Sequence, residues 1–191
     1  MARLPAAERQ VQIAEAALAL LAEGGTAALT TAALGRAVGL RDASLFRHFP
    51  HKAAIVAAAV DRFEACLAES LDRPEADPLA RLAGFFAHRQ ALLRARPVIL
   101  RLAFNERLVE AADPADRPRV LGILSRSRLF LRACLAEARA AGLVRQDVPV
   151  DVLQWTVMGA MRGAALDPAA DPDAVWSHVS RLLRGADKRS S

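Results

Sequence analysis

A chain of 191 residues that is 53% apolar and 25% charged can bury one sizeable core or two small ones, which excludes a disordered tail and a large multidomain machine. Few aromatics, no Tyr and an excess of Ala and Leu leave little of the β-branched and aromatic material that sheets favour, so an all-helical fold is expected. The net charge is +5, but all but two of the 26 basic residues are Arg, a compositional bias; for a nucleic-acid partner, what matters is where the charge falls.

The first helix is predicted from about Pro5 to Glu23, with Pro at an acceptable first-turn position and Ile13, Ala17, Leu20 and Leu21 on one face. Gly24 and Gly25 stop it. Thr30 is the expected N-cap of a short helix over Thr31 to Val38, whose Leu34 and Val38 share a side, and Gly39 breaks the pattern after two turns. A second short helix is predicted over about Asp42 to Phe49, ended by Pro50, and Lys52 begins a longer one to about Leu71. Two short helices joined by a tight glycine turn and braced by longer helices make a helix-turn-helix unit. In it Leu40, Leu45 and Phe49 can pack inward, leaving Arg41, Asp42, Ser44, Arg47 and His48 outside. Positive charge concentrates here: between Gly35 and Lys52, Arg36, Arg41, Arg47 and Lys52 face only Asp42, whereas residues 1–65 as a whole are nearly balanced.

Asp72 to Asp77 is a polar, proline-containing break. Beyond it helices are predicted at about Pro78 to Arg94, Pro97 to Ala111, Arg117 to Ala141, Val150 to Leu166 and Pro172 to Arg184, followed by a polar tail after Gly185. The uncharged stretch from Val152 to Met161 is about half the roughly 20 residues a membrane span needs, so no membrane partner is expected. Cys66 and Cys134 read as buried reduced thiols of a cytoplasmic protein. His48, His51, His88 and His178 are scattered, with no Glu or Cys at ligand spacing, no glycine-rich phosphate loop and no nucleophile beside an obvious base. Neither catalysis, a metal nor a cofactor is therefore expected.

Residues 13–25 (IAEAALALLAEGG), 29–31 (LTT) and 39–52 (GLRDASLFRHFPHK) together resemble the DNA-binding domain of the tetracycline repressor (TetR) family over about 45 residues at consistent offsets. The resemblance implies a dimeric, all-helical transcription regulator, with a helix-turn-helix domain at 1–52, a connecting helix at 53–72 and a ligand-binding and dimerisation domain at 73–191. Its partners are then double-stranded DNA carrying a two-fold operator, a second copy of itself and a small-molecule effector. In the register of the family motif, Arg41 and Ser44 become base-edge candidates and Thr30, Thr31 and Lys52 phosphate candidates, with Asp42, Ala43, Phe46, Arg47 and His48 completing the DNA-facing set. Three positions depart from the family pattern. Arg41 stands where Ser often opens the recognition helix, so capping passes to Asp42 or is lost. Phe46 replaces the usual Tyr and lacks its phosphate-binding hydroxyl. Ala43 replaces a frequent Gly and offers a methyl to thymine.

The last two helices carry Leu153, Trp155, Val157, Val175, Trp176, Val179, Leu182 and Leu183, more apolar surface than a helix needs for its own core. Either they form one buried bundle, or two such helices from each subunit make a symmetric four-helix interface in which Gly159 and Gly163 allow close approach. Phe85, Phe86, Phe104, Phe130, Cys134, Met158 and Met161 can line an apolar effector cavity or serve as ordinary core, and His88, Arg101 and Asn105 can orient a ligand or face water. Periodicity does not separate these readings. A helical protein-interaction module and a ligand-independent DNA-binding protein are the alternatives to an effector-released repressor.

Overall fold

The computed structural model describes residues 5–185. The polar tail after Gly185 and the side chain of Asp42 lie outside the described residues. Among them the chain is helical without a strand, in the order α1 (Ala6–Ala28), α2 (Thr31–Val38), α3 (Asp42–Leu45), α4 (Lys52–Ala68), α5 (Pro78–Ala95), α6 (Pro97–Ala103), α7 (Arg107–Ala111), α8 (Arg117–Ala140), α9 (Val150–Leu166) and α10 (Pro172–Arg184). No helix among the described residues is long and apolar enough to cross a membrane.

The packing forms two compact units. Among the described residues, one unit holds those up to Leu67 together with Arg96–Leu124, and the other holds Ala68–Ala95 and residues 125–185. In the first, α1 repeats apolar residues at the four-residue steps 13, 17, 21 and 14, 18, 22, and each of these six is buried. Phe63, Ile55, Leu34, Leu45 and Leu29 are fully buried in the same unit, and each such side chain contributes about 1.5–3 kcal/mol of burial. Leu20, expected on the buried face, is half-buried instead.

Several boundaries differ from the sequence expectation: α4 ends at Ala68 rather than Leu71, and two larger differences concern α1 and the segment from Pro97 to Ala111. Gly24 does not stop α1: the helical pattern continues to Ala28 across a kink at Gly25, whose φ of 63° suits a residue without a Cβ. Arg107 of α7 donates to the Ala22 carbonyl beside that kink, satisfying an acceptor at the point where the helix bends. Second, the single helix expected over Pro97 to Ala111 is two. Phe104 leaves helical geometry at φ −124°, and the Asn105 Oδ1 accepts from the Arg107 N–H at 3.0 Å, starting α7 afresh. Both α6 and α7 pack on α1.

In the second unit α5, α9 and α10 pack on one another around Leu82, Phe85, Phe86, Val157 and Leu183. Arg94 reaches from α5 to the carbonyls of Ala164 (3.0 Å) and Ala170, covering acceptors at the C-terminal end of α9 that have no partner within the helix. The loop after α8 is held the same way, Arg139 donating to the carbonyls of Val148 (2.7 Å) and Gln146 (2.6 Å).

Thr30 adopts the extended N-cap conformation, and its Oγ1 accepts from the Ala33 N–H at 3.1 Å. Thr30→Ala is expected to cost about 1 kcal/mol, read in urea as a lower midpoint at unchanged slope.

Candidate nucleic-acid interface

The turn between α2 and α3 is set by Gly39, which takes the left-handed conformation at φ 67° and lets the Leu40 N–H return to the Gly35 carbonyl at 2.8 Å. Leu34, Val38, Leu45 and Phe49 are buried, and Leu40 is half-buried. With the apolar positions turned inward, Arg41, Ala43, Phe46 and Arg47 stand exposed, and Ser44 and His48 half so. Phe46, at 44% exposure, is an aromatic ring offered to solvent. The helix itself is short: α3 ends at Leu45, and the chain continues through turns to Phe49 rather than as helix.

The Arg41 side chain does not cap α3, and the alternative cap, the Asp42 side chain, lies outside the described residues. Arg41 occupies the N-cap position in extended conformation, and its carbonyl alone accepts from Ser44 (2.8 Å) and Leu45 (3.3 Å). Arg41 stands exposed at the place where a Ser often opens such a helix. The two neighbouring candidates are joined, because Arg47 Nη2 donates to the Ser44 Oγ at 2.7 Å. That bond leaves the hydroxyl hydrogen of Ser44 to donate outward.

Around this face, Thr30 is exposed at the start of α2, where backbone N–H groups and the helix dipole favour an anion, and Thr31 is half-buried. Lys52 is exposed at the start of α4. His51 supplies the N-cap there, its Nδ1 accepting from the Ala54 N–H at 3.2 Å, a role signalled by its place between Pro50 and the helix. Arg9 and Gln10 of α1 carried no signal in the sequence. Arg9 donates to the Val38 carbonyl (3.3 Å) and Gln10 to the His48 carbonyl (3.0 Å), so the first turns of α1 hold the end of α2 and the turn that follows α3.

Of the expected effector residues, Arg101, Phe104 and Asn105 belong to the first unit and the others to the second. Asn105 starts α7, as described, and Arg101 is exposed. In the second unit Phe85 and Phe130 meet at 5.2 Å between ring centroids, Phe86, Cys134 and Met161 are buried, and Met158 is half-buried. Burial pushes the Cys134 thiol up from its ordinary value. His88, half-buried, lies 3.8 Å from the exposed Glu69. A groove of about 430 Å³ on the first unit, lined by Val11, Phe49 and Ala58 among others, contains none of the expected effector residues.

The expected interface residues also divide. Leu153, Val157, Val179 and Leu183 are buried within the second unit, and Trp176 is spent on Phe86 at 5.2 Å; an amphipathic helix must first cover its own core. Val175 is half-buried. Trp155 (67% exposed), Leu182 (58%), Gly159 and Gly163 face outward.

Residues 13–59 match the family model described as bacterial regulatory proteins, tetR family. A nucleoid occlusion factor, SlmA, of Marinomonas sp. (strain MWYL1) is 28% identical over 134 residues, 69% of this chain and 68% of that protein. The TetR family transcriptional regulator PfmR of Thermus thermophilus superposes with a TM-score of 0.69 at 20% identity, covering 98% of this chain and all of that one. AibR, solved with isovaleryl coenzyme A and operator DNA, gives a TM-score of 0.72 at 17% identity over 92% of this chain and 98% of its own.

Proposed function

The chain carries the N-terminal domain of the tetR family of bacterial regulatory proteins on a TetR-like all-helical fold, and from that premise we propose a dimeric, cytoplasmic transcription repressor released from a two-fold operator by a small, mainly apolar effector. The observation that carries the DNA-binding reading is the α3 face. Arg41, Ala43, Phe46 and Arg47 are exposed in the register of the family domain, above an apolar underside of Leu45 and Phe49. Side chains from the start of such a helix reach base edges, while Thr30, Thr31 and Lys52 hold phosphates and set the register.

Dimerisation is supported by the outward side of α9. An added Cβ at Gly159 or Gly163 meets nothing within 4 Å, so this chain's own packing does not require glycine there, whereas close approach of a second backbone does. Trp155, Val152 and Leu166 lie on the same helix, all exposed. A two-fold dimer presents two recognition helices about 34–36 Å apart, one turn of DNA.

For release, the effector must prefer the DNA-incompetent dimer, since equal affinity for both states shifts nothing. The lever in this reading is segment 96–111, which forms two helices, α6 and α7. Segment 96–111 grips α1 through Arg96, which donates to Glu15 at 3.0 Å, and through Arg107 at the Ala22 carbonyl. Glu15 also holds Arg62 of α4 at 3.0 Å. Displacing α6 and α7 thus draws on α1, whose first turn holds α2 and the end of the recognition segment.

Titration against random duplex DNA at two salt concentrations tests the first step, with affinity expected to fall steeply as salt rises. Absence of such binding points to a helical protein-interaction module. Reciprocity tests the second: operator DNA must weaken effector binding by the same factor by which effector weakens operator binding. An operator affinity that no small molecule changes indicates a ligand-independent DNA-binding protein.

A further inference from the structure

The phenylalanine rings of the first unit are placed unequally. Phe49 and Phe63 are buried and Phe104 is half-buried, whereas Phe46, which follows α3 directly, is 44% exposed. Its backbone stays helical at φ −71° and ψ −8°, so Ala43, Phe46 and Arg47 follow at steps of three and four on one side, and all three are exposed. Leu45 and Phe49, on the other side, fill the core.

The apolar pair Ala43 and Phe46 lies among cations. Arg41 precedes it at the N-cap of α3, Arg47 adjoins the ring in the chain and Lys52 opens α4, and each of the three is exposed. Positive charge brings such a face to a polyanion, and the second short helix of a helix-turn-helix unit enters the major groove. A phenyl ring has no donor or acceptor to offer a phosphate or the polar edge of a base. The apolar group that the major groove does present is the C5-methyl of thymine, and Ala and Phe are side chains that contact it. Wedging of a ring between base steps is a minor-groove device, away from this helix.

We propose that Ala43 and Phe46 read a pyrimidine methyl group in each half-site. The methyl of thymine packs against the ring and the Ala43 Cβ, and 5-methylcytosine, with the same group on the same carbon, takes its place; deoxyuridine and unmodified cytosine leave the ring facing water. The role rests on the reading of α3 as the DNA-contacting face of a two-fold dimer, and adds that operator affinity responds to cytosine-5 methylation at this position. Burying one methyl corresponds to about fourfold in affinity.

The test starts from an operator selected with the full chain out of a random duplex pool. Each thymine and its two-fold mate are then replaced by deoxyuridine, and at the sensitive position cytosine and 5-methylcytosine are compared opposite guanine. One symmetric pair of thymines is expected to lose about fifteenfold on replacement, fourfold for each half-site, and 5-methylcytosine to exceed cytosine by a similar factor. Phe46→Ala is expected to bind the thymine and uridine duplexes nearly alike, and Phe46→Leu to keep part of the preference. Because the ring is exposed, both variants should melt close to the unaltered protein. Thymine and uridine duplexes bound alike at every position, 5-methylcytosine no better than cytosine, or full discrimination surviving in Phe46→Ala overturns the proposal. The thymine and uridine comparison in the unaltered protein needs no variant to fold. Failure to bind any duplex removes the DNA-binding reading and this role with it; salt-dependent binding that ignores the methyl removes this role alone.

Discussion

Trp155→Glu is expected to turn the protein into a monomer and to lower its operator affinity by a factor of about 10²–10⁴, because the second half-site loses its tethered partner. The indole is 67% exposed, so the fold of a single chain gains little from it and should tolerate the change. Across a two-fold axis the substitution meets its own copy or that copy's apolar neighbours, which places carboxylates where two large apolar groups were to be buried. Sedimentation at micromolar concentration together with a melting curve reads the two effects apart. Trp176→Ala is expected to behave otherwise: its ring stacks on Phe86 inside the unit, so the melting temperature falls while the association state holds. A Trp155→Glu protein that stays dimeric places the interface elsewhere.

Arg41→Ala and Ser44→Ala are expected to change which bases are preferred, each costing about 1–3 kcal/mol at the position read. Lys52→Ala is expected to weaken all duplexes alike and to reduce the salt slope by about one. Since Arg47 and Ser44 are bonded at 2.7 Å, removing both should cost less than the two single changes added together. Selection from a random duplex pool checks all of these. One and the same selected motif from every variant refutes the base-reading assignment.

Much of this was legible in the sequence where the signal is local. Thr30 caps α2 as expected, Gly39 ends it in the left-handed conformation, and α9 and α10 run over the residues their periodicity marks. Each depends on side-chain and backbone groups within about one turn, so neighbouring letters suffice. The helix-turn-helix offsets were equally readable, because the spacing of Leu34, Val38, Leu45 and Phe49 encodes its underside.

Only the tertiary structure decided the rest. An amphipathic pattern over Pro97 to Ala111 satisfies one helix or two, and the choice fell to the Asn105 side chain and to the fit of both pieces on α1. Apolar content in α9 and α10 shows that faces are buried without showing against what, so Trp155 and Trp176 look alike in sequence and part in space. Arg9 and Gln10 hold carbonyls 29 and 38 residues away, and Arg89 meets Ser127 at a separation of 38. Periodicity states which way a side chain points relative to its own helix; a partner across the fold exists only once the helices are packed.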